Sequence, residues 1–220
     1  MECLEANKEK KIVFLRNNLI EWGKTNYAAF PWRETNNKWH ALVAEIMLQR
    51  TNAEQVVPVY ESFVESYPSP KEFLFERNTN IFQSLGLHWR EAQLRSLARE
   101  IYNLGYIPED KNSLLKLPGV GDYIAAAFRS FHLNIRDVII DSNVVRLYGR
   151  YFGFETDPET RRKKWLKELA AEVTPYINHK EFNYALLDFT RNICKPQPQH
   201  KECLLRNLCC FAIDNNDSKY

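Results

Sequence analysis

Apolar residues recur at helical spacing through most of this chain, and strict apolar–polar alternation is scarce, so the pattern predicts helix nearly throughout. Residues 5 to 24 read as an amphipathic helix with Ile12, Val13, Leu15, Leu19, Ile20 and Trp22 broadly on one side. Pro31 and the Asn36–Asn37 pair then mark a loop. Trp39 to Thr51 (WHALVAEIMLQRT) is apolar around much of its circumference and reads as a buried helix. Val56 to Tyr67 follows, then a Pro68-Ser69-Pro70 break, two short helices to about Leu85, and a longer one from Gly86 to about Leu104. A short helix at Ser113 to Leu117 and a longer one at Tyr123 to His132 flank a glycine-rich turn. Beyond it come VVRLYGRYFG, a helix from about Pro158 to Thr174, and EFNYALLDFTRNIC. The fold class is all-α.

The turn LPGVGDY is where chemistry first enters. Pro118, Gly119 and Gly121 force the chain round tightly, since glycine takes positive backbone angles without strain. A helix, a Gly-x-Gly hairpin and a second helix leave backbone N–H groups at the second helix's N-terminus, where the helix dipole also favours a phosphate. Twenty residues past the hairpin, Asp141 ends the run VIID. A carboxylate closing a β-branched apolar segment belongs at the edge of a core, where its charge counts most. Ser142 and Asn143 supply N-cap chemistry for the helix that follows.

Glu45 lies amid Leu42, Val43, Ile46, Met47 and Leu48. A carboxylate in such surroundings is costly unless paired or protonated, which suits a general acid; alternatively it faces solvent and does nothing. Arg50 ends the same helix beside Gln49, and an arginine there can hold a phosphate or the last carbonyls.

Composition alters this picture little. Apolar residues make up 45% and charged residues 26%, ordinary for a soluble globular chain, and 220 residues suffice for one core or two small ones. No apolar run nears the ~18 residues of a membrane span, and MECLEANKEKKIV lacks a signal-peptide core, so a cytoplasmic or nucleoid-associated protein is expected. A net charge of +2 proves no nucleic-acid partner, but basic residues cluster at Arg161, Arg162, Lys163, Lys164 and Lys167, and recur at Arg90, Arg95 and Arg99. Such clusters contact phosphates or merely form solvated helix faces. Four of the five cysteines fall between Cys194 and Cys210, a clustering that favours a metal site over disulfides.

LPGVGDY followed by VIIDSNVVRLYGR resembles the helix-hairpin-helix and catalytic aspartate of the endonuclease III superfamily of DNA glycosylases. With FPWRET and FNYALLDF, the chain looks most like the Mig-type thymine glycosylases, then the catalytic domain of MutY-type adenine glycosylases. The likeness runs from about Phe30 to Phe211. It implies two helical lobes: residues 30–133, with the hairpin at 117–128, and residues 1–29 plus 134–220, with a cysteine-rich cluster loop at 194–210. It also implies a monomer acting on double-stranded DNA that holds a mismatched or damaged base, without a membrane.

By the same resemblance Asp141 stabilises the sugar cation, Glu45 protonates the leaving base or positions water, and Tyr123 assists it. Gly119, Val120 and Gly121 seat the strand, Arg50 and Gln49 stand at the gap left by the flipped nucleotide, Leu87 is an apolar wedge, and Asn143 steadies the aspartate. Bifunctional members carry lysine two residues past the second hairpin glycine, where this chain has Tyr123, so a monofunctional enzyme is expected. The base implied is thymine or uracil opposite guanine; the alternatives are adenine opposite guanine or 8-oxoguanine, and a non-catalytic helix-hairpin-helix module that only grips DNA.

The family's cluster loop spaces four cysteines by six, two and five residues around a [4Fe–4S] cluster. Here, allowing one deletion, the set is Cys194, His200, Cys203 and Cys209, with Cys210 as a substitute for the histidine. Histidine can replace a cysteine at such a cluster; three Cys and one His also suit zinc.

Overall fold

The computed structural model describes residues 7–76, 82 and 88–217, with the helical backbone alone at 88–90 and 215–217. The described residues are helical, with no strand among them, and no described helix is long and apolar enough to cross a membrane. Two compact units divide the chain: Ala29–Ile135, and Met1–Ala28 with Arg136–Tyr220.

In the unit of Ala29–Ile135, helices α2 (Lys38–Met47), α3 (Ala53–Ser66), α4 (Pro70–Phe75), α5 (His88–Leu104), α6 (Lys111–Leu114) and α7 (Asp122–Ala127) follow a 3₁₀ turn at Pro31–Arg33. Four of the starts have a side-chain cause. Asn37 Oδ1 accepts from the amides of Trp39 and His40, Asn52 from Glu54, and Asp110 from Ser113. Ser69 caps α4, with Pro70 already holding a helical φ. The core is aromatic at one end, where Phe63 lies 5.0 to 5.9 Å from Trp39, Tyr67, Phe73 and Phe82. Every position from Ala41 to Met47 is buried, so α2 runs through the middle of this packing.

The helix expected over 39–51 stops at Met47. Gln49 N bonds to Ile46 O and Thr51 N to Leu48 O, a tightened turn that carries Arg50 to φ 56. The run after the hairpin also departs from expectation. It is α-helical only to Ala127 and continues as a π turn from Phe128 to His132. Of the two short helices expected before Leu85, the second lies outside the described residues, as do Leu87 and the side chain of Arg90.

The other unit contains α1 (Lys8–Asn26), α8 (Ser142–Phe152), α9 (Lys164–Val173), α10 (His179–Asn192) and α11 (Cys210–Asp217). Ile12, Leu15 and Leu19 of α1 meet Tyr148, Phe152, Phe182 and Phe189, whereas Val13, grouped with them by pattern, is 46% exposed. Gly153 ends α8 at φ 81, its N–H and that of Phe154 both returning to the Gly149 carbonyl. The single helix expected over 158–174 is broken. Asp157 Oδ1 accepts from Thr160 Oγ1 and Glu159 N, and Thr160 Oγ1 accepts from Asp157 N, fixing a separate turn before Lys163 extends and α9 begins. Lys11 is buried, donating from Nζ to the Tyr151 carbonyl and to Cys210 Sγ, both at 2.9 Å.

Candidate active site and metal loop

The hairpin between α6 and α7 needs one left-handed residue. Gly119 sits at φ 82, whereas Gly121 is extended (φ −97, ψ −179), so the second glycine is not required by backbone sign. Its lack of a side chain leaves the space beside the turn open. As N-cap of α7 it places no capping group over the first-turn amides, and a Cβ built there would meet nothing within 4 Å. Gln49 Nε2 donates to the Gly119 carbonyl at 3.3 Å, and a Cβ on Gly119 would lie 2.6 Å from the Gln93 amide. Gln49, expected beside the flipped nucleotide, thus braces the hairpin here. Val120 is buried under the turn, and Tyr123 packs part-buried on the core.

Glu45 is 3% exposed on α2. Its Oε1 stands 3.5 Å from Nε2 of His132, whose side chain is equally enclosed. The π turn delivers that histidine, and the pairing offsets part of the cost of burying the carboxylate. Nothing in the sequence pattern singled out His132.

In the other unit Asp141 is half-buried and is itself the N-cap of α8, with Oδ1 accepting from Val144 N at 2.7 Å. The expected cap at Ser142 is therefore corrected: Ser142 is already inside the helix, and a carboxylate one residue earlier reaches the orphan amide better. Asn143 Nδ2 donates to Asp141 Oδ2 at 3.0 Å, while its own Oδ1 accepts from Arg146 Nη1 at 2.8 Å. Arg146 in turn donates to the carbonyls of Thr190 and Cys194. A chain of hydrogen bonds thus runs from the aspartate to the start of the cysteine loop. Arg146 was not anticipated, because an arginine inside a mixed helix carries no motif.

In the loop itself Cys194 is buried, and Arg150 Nη1 approaches its Sγ at 3.6 Å. Cys209 Sγ donates to the Arg150 carbonyl at 3.4 Å. Burial pushes the Cys203 thiol up and that of Cys209 up to about 11; the charge of Cys194 adds to both, and that of Cys203 adds to Cys209. The three thiols are electrostatic neighbours. His200 is exposed, its ring stacked 5.8 Å from that of Phe211, and Cys210 is buried against Gly153 with Lys11 on its sulfur. Among the described residues no three His, Cys, Asp or Glu side chains converge closely enough to hold a single ion.

The basic groups divide in the same way. Arg95 is committed to Glu91 and the carbonyls of Phe73 and Glu76. Arg162 and Lys163 pair with Glu159 and Asp157; Arg161, Arg162 and Lys167 are all exposed.

Comparison with known proteins agrees along nearly the whole chain. Residues 43–172 match the family described as "HhH-GPD superfamily base excision DNA repair protein". A thymine-DNA glycosylase of Aeropyrum pernix is 37% identical, covering 94% of this chain and 97% of its own. A thymine/uracil-DNA glycosylase of Methanothermobacter thermautotrophicus is 33% identical over 94% and 96%. The solved structure of a thermostable thymine-DNA glycosylase superposes with a TM-score of 0.89 at 31% identity, covering 94% of this chain and 99% of that one. The all-helical fold, the hairpin with its following aspartate and these matches make the chain a member of the HhH-GPD superfamily of base excision DNA repair proteins.

Proposed function

We propose that this protein is a monofunctional DNA glycosylase that takes thymine or uracil opposite guanine out of duplex DNA and hydrolyses its N-glycosidic bond. The observation that carries the reading is Asp141: a half-buried carboxylate whose two oxygens are each fixed by one hydrogen bond. Beneath the deoxyribose, such an anion stabilises the oxocarbenium-like transition state. Water adds its hydroxyl to the anomeric carbon, and a proton reaches the departing base from Glu45, with Tyr123 assisting. The turn of Gly119, Val120 and Gly121 takes a strand phosphate, with the Val120 amide itself committed to the Leu117 carbonyl, and Arg50 and Leu87 enter the gap left by the flipped nucleotide. The names of the thymine- and uracil-DNA glycosylases that the chain resembles support the choice of base. Such an enzyme works at the chromosome, in the cytoplasm.

Duplexes holding G·T, G·U, G·A or 8-oxoguanine·A pairs, incubated with the protein and then treated with alkali, test the base. Strand cleavage is expected at G·T and G·U; release of adenine alone would overturn the assignment. Tyr123 cannot form a Schiff base, so borohydride should trap no covalent enzyme–DNA species, and a trapped band would show a lyase.

The donor set of the loop fits an iron–sulfur cluster held by Cys194, Cys203 and Cys209, with His200 as fourth ligand. The three thiols are neighbours, and Arg150 Nη1 lies 3.6 Å from the Sγ of Cys194, a cation suited to an anionic cluster. When bound, the cluster would tie the loop together as a folding element. The purified protein is expected to be brown, with about four irons per chain. Cys203→Ser should lose them, His200→Ala should give a three-iron signal by electron paramagnetic resonance, and Cys210→Ser should keep the full complement. Stoichiometric zinc in a colourless protein contradicts this.

A further inference from the structure

We infer that His132 is a positioning residue for base release, acting through Glu45. The inference rests on the proposed role of Glu45 as the acid of the reaction. His132 Nε2 is buried, makes no hydrogen bond, and stands 3.5 Å from Glu45 Oε1, with both side chains no more than 4% exposed. Around it lie the rings of Phe128 and Phe131, at 6.1 and 6.5 Å between centroids. A site lined in this way would be filled at less cost by another apolar side chain, because an enclosed ring nitrogen without a hydrogen bond forfeits its hydration.

The backbone is also arranged to bring the ring there. The helix that starts at Asp122 widens into a π turn at Phe128–His132, and such turns recur at functional sites. Asn134, at φ 53, then reverses the chain, and Ile135 N bonds to the Arg129 carbonyl, closing the widened end. The turn sets His132 against α2 at the position of its carboxylate.

An Nε2–H directed at Oε1 fixes the plane of the carboxyl group and leaves Oε2 to meet the departing base. The separation is slightly long for a hydrogen bond, and contacts of this kind tighten once substrate is bound. Mispositioning an acid by about 1 Å costs on the order of a hundredfold in rate. The histidine holds the acid; it does not itself touch the nucleotide.

Two substitutions separate this role from packing. Phenylalanine keeps the volume and removes the donor, whereas glutamine places an amide N–H near the position of Nε2. Under single-turnover conditions on a G·T duplex, His132→Phe is expected to slow thymine release about ten- to a hundredfold. Duplex affinity should stay within about twofold, and His132→Gln should recover most of the rate. In a Glu45→Gln background the further change His132→Phe should cost less than about twofold, because the two act as one unit.

A slow Glu45→Gln enzyme beside a His132→Phe enzyme of wild-type rate overturns the inference and leaves Glu45 in place. A Glu45→Gln enzyme of wild-type rate removes the role of Glu45 itself, and this inference with it. If both His132 variants are equally slow and melt earlier than wild type, the histidine is structural. An undiminished effect of His132→Phe in the Glu45→Gln background rejects action through the carboxylate.

Discussion

Asparagine at position 141 is expected to lower the single-turnover rate of base release about a thousandfold or more, while affinity for the mismatched duplex changes less than about threefold. The rate effect follows from the proposed mechanism, which sets this anion where positive charge develops on the sugar; preorganised electrostatic groups carry the largest single share of such barriers. Folding should survive. Asparagine caps helices as well as aspartate does, so the bond from Val144 N to Oδ1 is retained. The partner of Oδ2 is lost, because Asn143 Nδ2 would then face a second amide N–H₂, and Asn143 cannot simply turn over while its Oδ1 accepts from Arg146. One hydrogen bond and a favourable charge at the α8 N-terminus together stabilise by about 1–2 kcal/mol. Melting should therefore fall by a few degrees, and alanine, which loses the cap as well, should fall further. Base release by Asp141→Asn within about tenfold of wild type would falsify the glycosylase mechanism and favour a module that only holds DNA.

Glu45→Gln is expected to slow release about a hundred- to a thousandfold, the usual worth of a positioned acid, with duplex affinity again nearly unchanged. Glutamine matches glutamate in volume, so α2, buried at every position from Ala41 to Met47, keeps its packing. The 3.5 Å approach to His132 Nε2 also persists if the amide oxygen takes the place of Oε1. What disappears is the proton. The check is the dependence on leaving group. A duplex whose excised base departs readily without protonation should lose much less rate than one holding thymine. Equal losses on both assign Glu45 to the water or to structure instead.

How much of this the sequence discloses varies with the kind of physics involved. Helices with one apolar stripe are legible, because Leu15 and Leu19, or Val144, Leu147 and Tyr148, repeat at the period their burial demands. The hairpin is legible because a glycine at φ 82 is a local requirement, whereas Asp141 stands out by closing VIID and by the family resemblance and not as the cap it proves to be. The π turn is not, since the run from Ile124 to Phe131 is apolar in almost any register and carries no mark of where the ladder widens. Arg50 at φ 56 is hidden for a related reason: no glycine or asparagine announces the left-handed residue that stops α2. The break at Thr160 arises from side-chain oxygens competing with the helix, which a hydrophobic pattern does not register. His132 and Arg146 take their meaning from partners 87 and 48 positions away, Glu45 and Cys194, and such distances are set by tertiary structure alone.

Arg146 has a consequence for the durability of the enzyme. One guanidinium binds both the amide that steadies Asp141 and the carbonyl from which the cysteine loop departs. The rotamer of Asn143 is then only as well determined as that carbonyl. Oxidative injury to the loop would loosen the Asp141 carboxylate without touching it, and, on the proposed mechanism, repair capacity would fade before the helices around it melt.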